Sequence, residues 1–286
     1  MRVLVTGAGG QLGRSLRVAC CASCDFLFTD VMESRDTQRL DITDIDAVRD
    51  FVQQNDVTVI VNCAAYTDVN GAESDVEKCT VINAEAPGIL ATVMQERNGL
   101  LLHISTDYVF DGESDAPYTE DAKCAPQSVY GITKYQGEQA ILSSGCRYVI
   151  VRTSWLYSEY GRNFVKTILA LAASKPELKV VSDQIGTPTY ALDLANLICR
   201  ILESDDKEGV YHYSNEGSCS WYEFAKAIVE GAGNEMCVVN PCTTEEYPTP
   251  AQRPMYSVLD KSKVKETFGI EVPHWSESLK KCLKNL

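Results

Sequence analysis

Val5-Thr6-Gly7-Ala8-Gly9-Gly10-Gln11-Leu12-Gly13 is the stretch that decides the fold. It follows the short strand-like run Arg2-Val3-Leu4-Val5 and leads into a helical pattern. Its glycines have the spacing of a dinucleotide-binding turn, which lies between a strand and a helix. We expect Gly7 to permit the tight turn, Gly10 to let a cofactor pyrophosphate approach the backbone, and Gly13 to let the helix pack on the sheet. Helix amides beyond the turn would then point at the phosphate.

A second strand-like run, Phe26-Leu27-Phe28, ends at Asp30, about twenty residues beyond the glycines. A carboxylate at this place hydrogen-bonds an adenosine ribose hydroxyl and repels a 2′-phosphate, which favours NADH over NADPH. Arg35 follows closely enough in sequence to oppose that preference, so both cofactors stay open. The alternative is that Asp30 only ends the strand.

Strand-like runs and helical patterns alternate through the first half of the chain. The expected strands are 57–64, 100–105 and 147–153, and the expected helices are 44–55, 75–97 and 131–144. We take Thr43 as the N-cap of the first of these helices and expect a bend near Pro87 in the second. The alternation predicts an α/β fold with a doubly wound parallel sheet of the Rossmann type.

The second half continues the alternation more weakly. Helical patterns occur at 162–173, 190–203, 220–232 and 276–284, strand-like runs at 178–181 and 210–213, and a proline-rich loop at 240–257. We expect residues 1–155 to form the dinucleotide-binding domain, with some later segments contributing. Residues 156–286 would form mainly a smaller, partly interleaved α/β substrate lobe over the carboxyl edge of the sheet.

The candidate catalytic residues are Tyr130, Lys134 and Thr106. Tyr130 and Lys134 lie one helical turn apart, and Ser105-Thr106-Asp107 ends the preceding strand. A reductase needs a proton donor for the oxygen that becomes an alkoxide as hydride arrives. Lowering the pKa of a tyrosine from about 10 to about 7 takes roughly 4 kcal/mol of stabilisation of the phenolate, which a neighbouring ammonium and a cationic nicotinamide could supply. A Tyr-x-x-x-Lys pair occurs by chance in many helices. The glycine turn upstream is what favours a catalytic role for this pair.

The next two strand-to-helix connections supply candidate walls for the cofactor site. They contain Asp41-Ile42 and Ala64-Ala65-Tyr66-Thr67, at positions where adenine and ribose sites are usually built. The alternative is that these residues have only a structural role and pack against loops and strand ends.

The charge of the chain excludes some partners. Its 286 residues include 40 acidic and 26 basic side chains, giving a net charge of −14. Such a surface repels phosphate backbones, so we expect no nucleic-acid partner, and an anionic ligand must be met by local donors. The sequence has no apolar run of about 18 residues and no signal-peptide layout, so we expect no membrane partner and a cytoplasmic location.

Cysteines and histidines give little sign of a metal or disulfide site. The 12 cysteines are scattered, and Cys63, Cys79 and Cys199 fall in apolar or helical stretches, which favours buried free thiols. Cys21-Ala22-Ser23-Cys24 has no second Cys pair that would complete a metal site. The three histidines, His103, His212 and His274, are far apart in sequence. We therefore predict no metal site.

Several motifs together resemble the extended short-chain dehydrogenase/reductase superfamily and, within it, the dTDP-4-dehydrorhamnose reductases. The resemblance runs from residue 2 to the C-terminus. Besides the glycine turn, the motifs that carry it are Leu40-Asp41-Ile42-Thr43-Asp44, residues 62–69, residues 104–112, residues 126–137, residues 151–157, residues 183–189, and Arg253-Pro254 followed by Ser257.

The resemblance implies a reaction and a set of residues. The family reduces the 4-keto group of dTDP-4-dehydro-β-L-rhamnose to dTDP-L-rhamnose, with hydride from NADH or NADPH. By this resemblance Tyr130 would donate the proton, Lys134 would contact the nicotinamide ribose, and Thr106 would tune the tyrosine. The implied substrate residues are Thr106, Asp107, Trp155 and Arg253. The implied cofactor residues are Gly10, Gln11, Leu12, Asp30, Asp41, Ile42, Ala65, Tyr66 and Thr67, beside Gly7, Gly13 and Ala64 of the same motifs.

Two of these residues have structural alternatives. Trp155 follows a strand and could be a core tryptophan. Arg253 could face the ligand diphosphate, for which its fork of donors is suited, or could anchor a loop.

One departure from the family bears on assembly. Some relatives bind magnesium at a dimer contact through glutamates, one of them in the first helix. Here that helix reads Arg14-Ser15-Leu16-Arg17, without a carboxylate. We therefore expect no metal-bridged dimer, and either a monomer or a homodimer.

Two other functions remain open. Nucleotide-sugar dehydratases and epimerases share the superfamily, but the dehydratases carry Thr-Asp-Glu where this chain has Thr106-Asp107-Tyr108. The regulatory subunit of methionine adenosyltransferase has a similar fold and motifs without catalysis. The intact Tyr130, Lys134 and Thr106 favour an enzyme.

Overall fold

The computed structural model describes residues 1–19, 23–204 and 207–286. Within these ranges the strands are β1 (Arg2–Thr6), β2 (Asp25–Asp30), β3 (Gln38–Arg39), β4 (Val59–Asn62), β5 (Leu100–Thr106), β6 (Arg147–Thr153), β7 (Leu156–Tyr157), β8 (Glu177–Val181), β9 (Ile185–Gly186), β10 (Thr189–Tyr190), β11 (Gly209–His212), β12 (Cys219–Ser220) and β13 (Val238–Cys242). The helices there are α1 (Gln11–Ala19), α2 (Ile45–Gln54), α3 (Val69–Ala72), α4 (Val76–Thr80), α5 (Ala86–Glu96), α6 (Val129–Ser143), α7 (Phe164–Ala172), α8 (Ala191–Leu202), α9 (Trp221–Gly231), α10 (Ser262–Phe268) and α11 (Trp275–Asn285).

A parallel sheet forms the centre of the molecule. Its strand order is β11-β6-β5-β4-β1-β2-β3, and Val5 of β1 pairs with Phe28 on one side and Val61 on the other. The chain order reverses between β1 and β4, so the loops after these strands diverge and leave a crevice at their carboxyl ends. The predicted doubly wound parallel sheet is confirmed.

Both faces of the sheet are covered by helices, which explains the nearly continuous apolar strands. Alternate strand residues point to opposite faces. Val3, Val5, Val61 and Leu102 pack with α1 and α8 on one face. Leu4, Ile60, Leu101 and Ile150 pack with α2 and α5 on the other.

The second half of the chain builds a smaller lobe and also returns to the sheet. Helices α7, α9 and α11 enclose a separate core around Tyr157, Phe224 and Ile228. Strand β13 pairs in parallel with β8 in this lobe. Strand β11 joins the edge of the large sheet beside β6, and α8 packs against α1. The lobe is therefore partly interleaved with the sheet domain, as predicted.

Two local predictions were wrong. The N-cap of α2 is Asp44, whose carboxylate accepts the Asp46 and Ala47 amides at 3.1 and 3.0 Å. Thr43 instead donates to Asp41. The helix predicted over 75–97 contains a π-helical segment at Val81–Glu85, directly before the first turn of α5, in which Pro87 lies.

The second wrong prediction concerns the proline-rich segment 240–257. Its first residues belong to β13, where Pro241 is tolerated in a short two-stranded pairing with β8. Helix α10, at Ser262–Phe268, was not predicted at all. Its buried residues Val264 and Phe268 pack on the core that α1 and α8 share, a contact that sequence pattern alone does not reveal.

Two of the three cysteines expected to be buried are buried in the structure. Cys79 and Cys199 are buried and Cys63 is partly buried, whereas Cys21 of the Cys-x-x-Cys pair lies outside the described residues. Among the described helices none has the length and apolar character needed to span a bilayer.

Candidate active site

A cleft of about 1030 Å³ opens at the carboxyl ends of the central strands. Sixteen of the predicted site residues line it: Gly7, Gly10, Gln11, Leu12, Asp30, Asp41, Ile42, Ala64, Ala65, Thr67, Thr106, Asp107, Tyr130, Lys134, Trp155 and Arg253. The two other predicted residues, Gly13 and Tyr66, lie outside the lining. The backbone N–H and C=O of Tyr66 are both bonded to the Asn83 side chain.

The glycine turn leaves an open cradle at one end of the cleft. Gly7 has a φ of +66°, and a Cβ there would lie 2.6 Å from the Ala64 Cα. A Cβ on Gly13 would lie 2.5 Å from the Ala8 Cα, so this glycine allows α1 to pack closely on the turn. The cradle at Gly7 and Gly10 therefore fits a group that approaches the backbone closely, as a pyrophosphate does.

Asp30 joins the end of β2 to the glycine turn. Its Oδ2 accepts the Gly9 amide at 3.0 Å and its Oδ1 accepts the Met32 amide at 3.3 Å. The carboxylate also lines the cleft, so Asp30 both ends the strand and faces the cleft. Arg35 is exposed and is not part of the lining.

Helix α6 brings Tyr130 to the end of β5. The Ser128 hydroxyl caps the helix by accepting the Gly131 amide at 3.2 Å. A Cβ on Gly131 would lie 2.3 Å from the Tyr108 carbonyl oxygen, so only glycine allows this close seating. The Tyr130 ring then stands edge-on to Tyr108, with ring centres 5.5 Å apart.

Burial has the largest influence on the protonation of Tyr130. Burial raises the pKa of the phenol above its usual value, although a hydrogen bond with Thr106 lowers it in part. The expected lowering of this pKa requires the cationic nicotinamide as well as Lys134, and in the protein alone burial has the largest influence. The phenol is therefore protonated at neutral pH, which is the form a proton donor requires.

Lys134 is enclosed beside β5. Only 2% of its surface is exposed. Its Nζ donates to the Ile104 carbonyl at 2.6 Å and lies 3.1 Å from His103 Nε2. Burial lowers the pKa of Lys134 to about 8, against the opposing influence of the Glu138 carboxylate.

Thr106 and Asp107 form the floor beside Tyr130. The Thr106 hydroxyl donates to Asp107 Oδ1 at 3.0 Å and accepts the Tyr108 amide at 3.2 Å. Burial raises the pKa of Asp107 to about 6, although the Ser257 and Thr106 hydroxyls oppose the rise. Its Oδ2 has no partner in hydrogen-bond geometry within the described ranges. This oxygen can accept a hydroxyl from a bound molecule.

Two stacked tryptophans form the far end of the cleft. Trp155 has a φ of +45°, in the left-handed region that non-glycine residues rarely adopt. Its ring stacks on Trp221, with centres 3.5 Å apart and planes 10° apart. A Cβ on Gly186 would lie 2.6 Å from the Trp155 ring, so this glycine makes room for it. The pair offers a flat apolar surface to a ligand.

Basic side chains gather along the cleft although the chain is acidic overall. Lys78, Arg162 and Arg253 all line it. Arg253 donates to the Tyr108 hydroxyl at 3.1 Å and to Asn70 Oδ1 at 3.4 Å, which fixes the guanidinium near Tyr130. These side chains supply the local positive charge that an anionic nucleotide ligand needs.

Sequence reasoning missed Trp221, Lys78 and Arg162. Trp221 begins α9 and Lys78 lies in α4, far from the recognised motifs, and nothing in their local patterns marks them as ligand-facing. A His, Cys, Asp or Glu cluster of three or more that could hold a metal ion does not occur in the described part of the chain.

Comparison with known proteins adds independent findings. The family model for the RmlD substrate binding domain matches residues 1–286. The dTDP-4-dehydrorhamnose reductase of Aggregatibacter actinomycetemcomitans is 41% identical, over 98% of this chain and 97% of that protein. A crystal structure of such a reductase from Clostridium acetobutylicum has a TM-score of 0.92 at 41% identity, covering 100% of this chain and 99% of its own. One from Bacillus anthracis, in complex with NADP, has a TM-score of 0.93 at 41% identity and the same coverage.

Proposed function

Because this chain belongs to the dTDP-4-dehydrorhamnose reductase family, we propose that it reduces the 4-keto group of dTDP-4-dehydro-β-L-rhamnose to give dTDP-L-rhamnose. The reduced nicotinamide of NADH or NADPH would supply the hydride. The observation that carries the proposal is the meeting of Tyr130, Lys134 and Thr106 in one cleft with the glycine cradle.

Tyr130 would be the proton donor. Its phenol is protonated at neutral pH because burial raises its pKa. As hydride reaches the carbonyl carbon, negative charge grows on the oxygen, and a phenol within reach can donate its proton. Thr106, which hydrogen-bonds with this phenol, would hold it in place.

The cofactor would lie along the glycine turn and the next two strand ends. Gly7, Gly10, Gln11 and Leu12 would receive the diphosphate. Lys134 would contact the nicotinamide ribose. Asp30, Asp41, Ile42, Ala64, Ala65 and Thr67 would form the adenosine side. Asp30 favours NADH, whereas the similar B. anthracis reductase binds NADP, so both remain in the proposal.

The substrate would occupy the other end of the cleft. We propose that residues 156–286 supply most of this substrate lobe. Asp107 Oδ2 would accept a sugar hydroxyl, and Trp155 with Trp221 would contact the apolar edge of the 6-deoxy sugar. Arg253 would meet the diphosphate of the nucleotide, since its planar fork suits phosphate oxygens.

Tyr108 argues against a dehydratase. Elimination in those enzymes uses a glutamate at this position, whereas Tyr108 is buried and hydrogen-bonded to Arg253. Burial raises the pKa of Tyr108 to about 12, so it is a poor base. A purely regulatory role is disfavoured because the whole catalytic group lines an open cleft.

An absorbance assay at the reduced-nicotinamide band tests the proposal. With dTDP-4-dehydrorhamnose generated in situ, NADH or NADPH should be consumed in proportion to product. A dehydratase or epimerase that recycles its bound NAD would show no such consumption. Tyr130→Phe should lower turnover by at least ~100-fold, the usual size of general-acid help. Full activity in that variant would remove Tyr130 from its role.

A further inference from the structure

A buried row of polar side chains runs beneath the catalytic lysine. The Thr6 hydroxyl donates to Asn62 Oδ1 at 2.7 Å. Asn62 Nδ2 lies 3.0 Å from His103 Nδ1, and His103 Nε2 lies 3.1 Å from Lys134 Nζ. Each of these side chains is at most 2% exposed. With so little contact with water, the donors and acceptors must match one another.

The orientation of Asn62 is settled by a backbone amide. The Ala64 N–H donates to Asn62 Oδ1 at 3.1 Å. A backbone amide can only donate, so the Asn62 side chain cannot be turned around without opposing two donors. The Nδ2 group therefore faces His103 and donates to its Nδ1.

This orientation assigns the proton on His103. A neutral imidazole carries one N–H, and Nδ1 is already accepting, so the N–H is at Nε2. Burial lowers the pKa of His103 well below its usual value, and a charge on Lys134 lowers it further, so the ring is neutral. The Nε2–H points at Lys134 Nζ, and an ammonium group has no lone pair to accept it.

We propose that His103 is a positioning residue that holds the Lys134 amine between its own Nε2–H and the Ile104 carbonyl and thereby favours the uncharged form of this lysine. The proposal deepens the role given to Lys134 and rests on the proposed function only for its effect on turnover. The tautomer of His103 and the charge on Lys134 are properties of the protein itself.

Other groups around Lys134 act on the same equilibrium. Cys63 follows β4, Cys79 lies in α4, and Glu138 lies one turn further along α6. The Glu138 carboxylate favours the ammonium form, but it is also bonded to Arg152 at 2.7 Å and to the Ser105 hydroxyl. Two features oppose this carboxylate: the burial of Nζ, which has the largest influence, and the contact of Nζ with His103 Nε2.

The tautomer can be observed by ¹⁵N NMR of the histidines in the protein without added ligand. His103→Gln identifies the His103 signals among the three histidines. We expect the Nε2–H tautomer, unchanged from neutral pH down to about pH 5, since burial keeps the ring neutral. A protonated Nδ1, or an imidazolium in this range, would overturn the proposal.

The charge on the lysine can be followed with ¹³Cε-labelled lysine, using Lys134→Met to identify its signal. In His103→Phe, which keeps the ring shape without a donor, the Lys134 titration midpoint should rise by about one pH unit, the value of one hydrogen bond. In His103→Gln, whose amide can still donate, the midpoint should stay near that of the wild type.

A control separates this effect from loss of packing. Leu102 is the neighbouring buried residue of β5 and faces the opposite helix layer. Leu102→Ala should destabilise the protein by about 2–5 kcal/mol without moving the Lys134 midpoint. If His103→Phe also leaves the midpoint in place, His103 is structural only and the proposal fails.

Turnover distinguishes this proposal from the proposed function. In His103→Phe, the pH profile of kcat should shift in the same direction as the Lys134 midpoint, and Gln at this position should restore it. If the chain turns over no sugar nucleotide but the NMR results hold, the proposed reaction fails and this inference stands. If the reaction occurs but its pH profile and the lysine midpoint are unmoved, this inference fails alone.

Discussion

The two ends of the cleft are built in different ways. The cradle around Gly7 and Gly10 comes from the first strand and the turn after it, and the backbone forms it over a few residues. The tryptophan end joins Trp155, Gly186 and Trp221 from three separate segments and holds one of them in a left-handed conformation. The first end depends on local geometry, and the second depends on how the small lobe docks.

The largest expected effect is at the cradle. Gly7→Ala introduces both a left-handed φ and a Cβ at 2.6 Å from backbone, so it should lower the free energy of unfolding by roughly 4 kcal/mol and abolish dinucleotide binding. Gly145 has a φ of +73° with nothing within 4 Å. Gly145→Ala should therefore cost only about 1–2 kcal/mol. Chemical denaturation measures the free energy of unfolding of both variants, and cofactor titration measures their dinucleotide binding. Equal losses of stability in the two variants would show that the clash at Gly7 is relieved.

The second effect concerns charge at the substrate end. The folded protein raises the pKa of Asp107 from 3.8 to about 6, so the folded state favours the protonated acid. The contribution of Asp107 to the free energy of unfolding is therefore fully present below about pH 4 and is lost as the pH rises through 6. The total loss is roughly 3 kcal/mol. Asp107→Asn should remove it, so the variant gains stability relative to wild type between pH 4 and pH 7. If the free energies of unfolding of the two proteins changed with pH in the same way, this prediction would be contradicted.

The third effect tests whether the tryptophan end serves the substrate alone. Trp221→Ala should lower kcat/KM for the sugar nucleotide about 10- to 100-fold, since an aromatic contact and its area are lost, and leave cofactor affinity unchanged. Trp275 belongs to the same lobe and packs on Phe224, away from the cleft lining. Trp275→Ala should affect stability and not kcat/KM. A fall in cofactor affinity for Trp221→Ala would mean that the two ends are not independent.

The smallest expected effect is on the preference between NADH and NADPH. Asp30→Asn removes the charge that would face a 2′-phosphate and keeps one side-chain oxygen that can accept a backbone amide. The ratio of kcat/KM for NADPH to that for NADH should rise about tenfold. An unchanged ratio would place the adenosine ribose away from this side chain.

Much of the cofactor end was predictable, because its signals are short-range. Strand, glycine spacing and helix follow one another in Val5–Gly13, and the register of Tyr130 and Lys134 on α6 follows from helical periodicity. Tyr66 lies outside the cleft lining, and its backbone is bound by the Asn83 side chain from the π-helical segment, a contact that the sequence does not show.

Local pattern sufficed to predict the strands of the sheet, the glycine turn and the tyrosine–lysine pair, since strand and helix patterns, glycine spacing and helical register are all properties of short stretches of sequence. Tertiary packing alone brought Trp221 onto Trp155, placed Lys78 and Arg162 along the cleft, and set His103 against Lys134. It also decided the protonation of Tyr130, Lys134 and Asp107. The physical reason is that desolvation and donor–acceptor matching depend on everything that surrounds a group, and a single sequence shows only its neighbours along the chain.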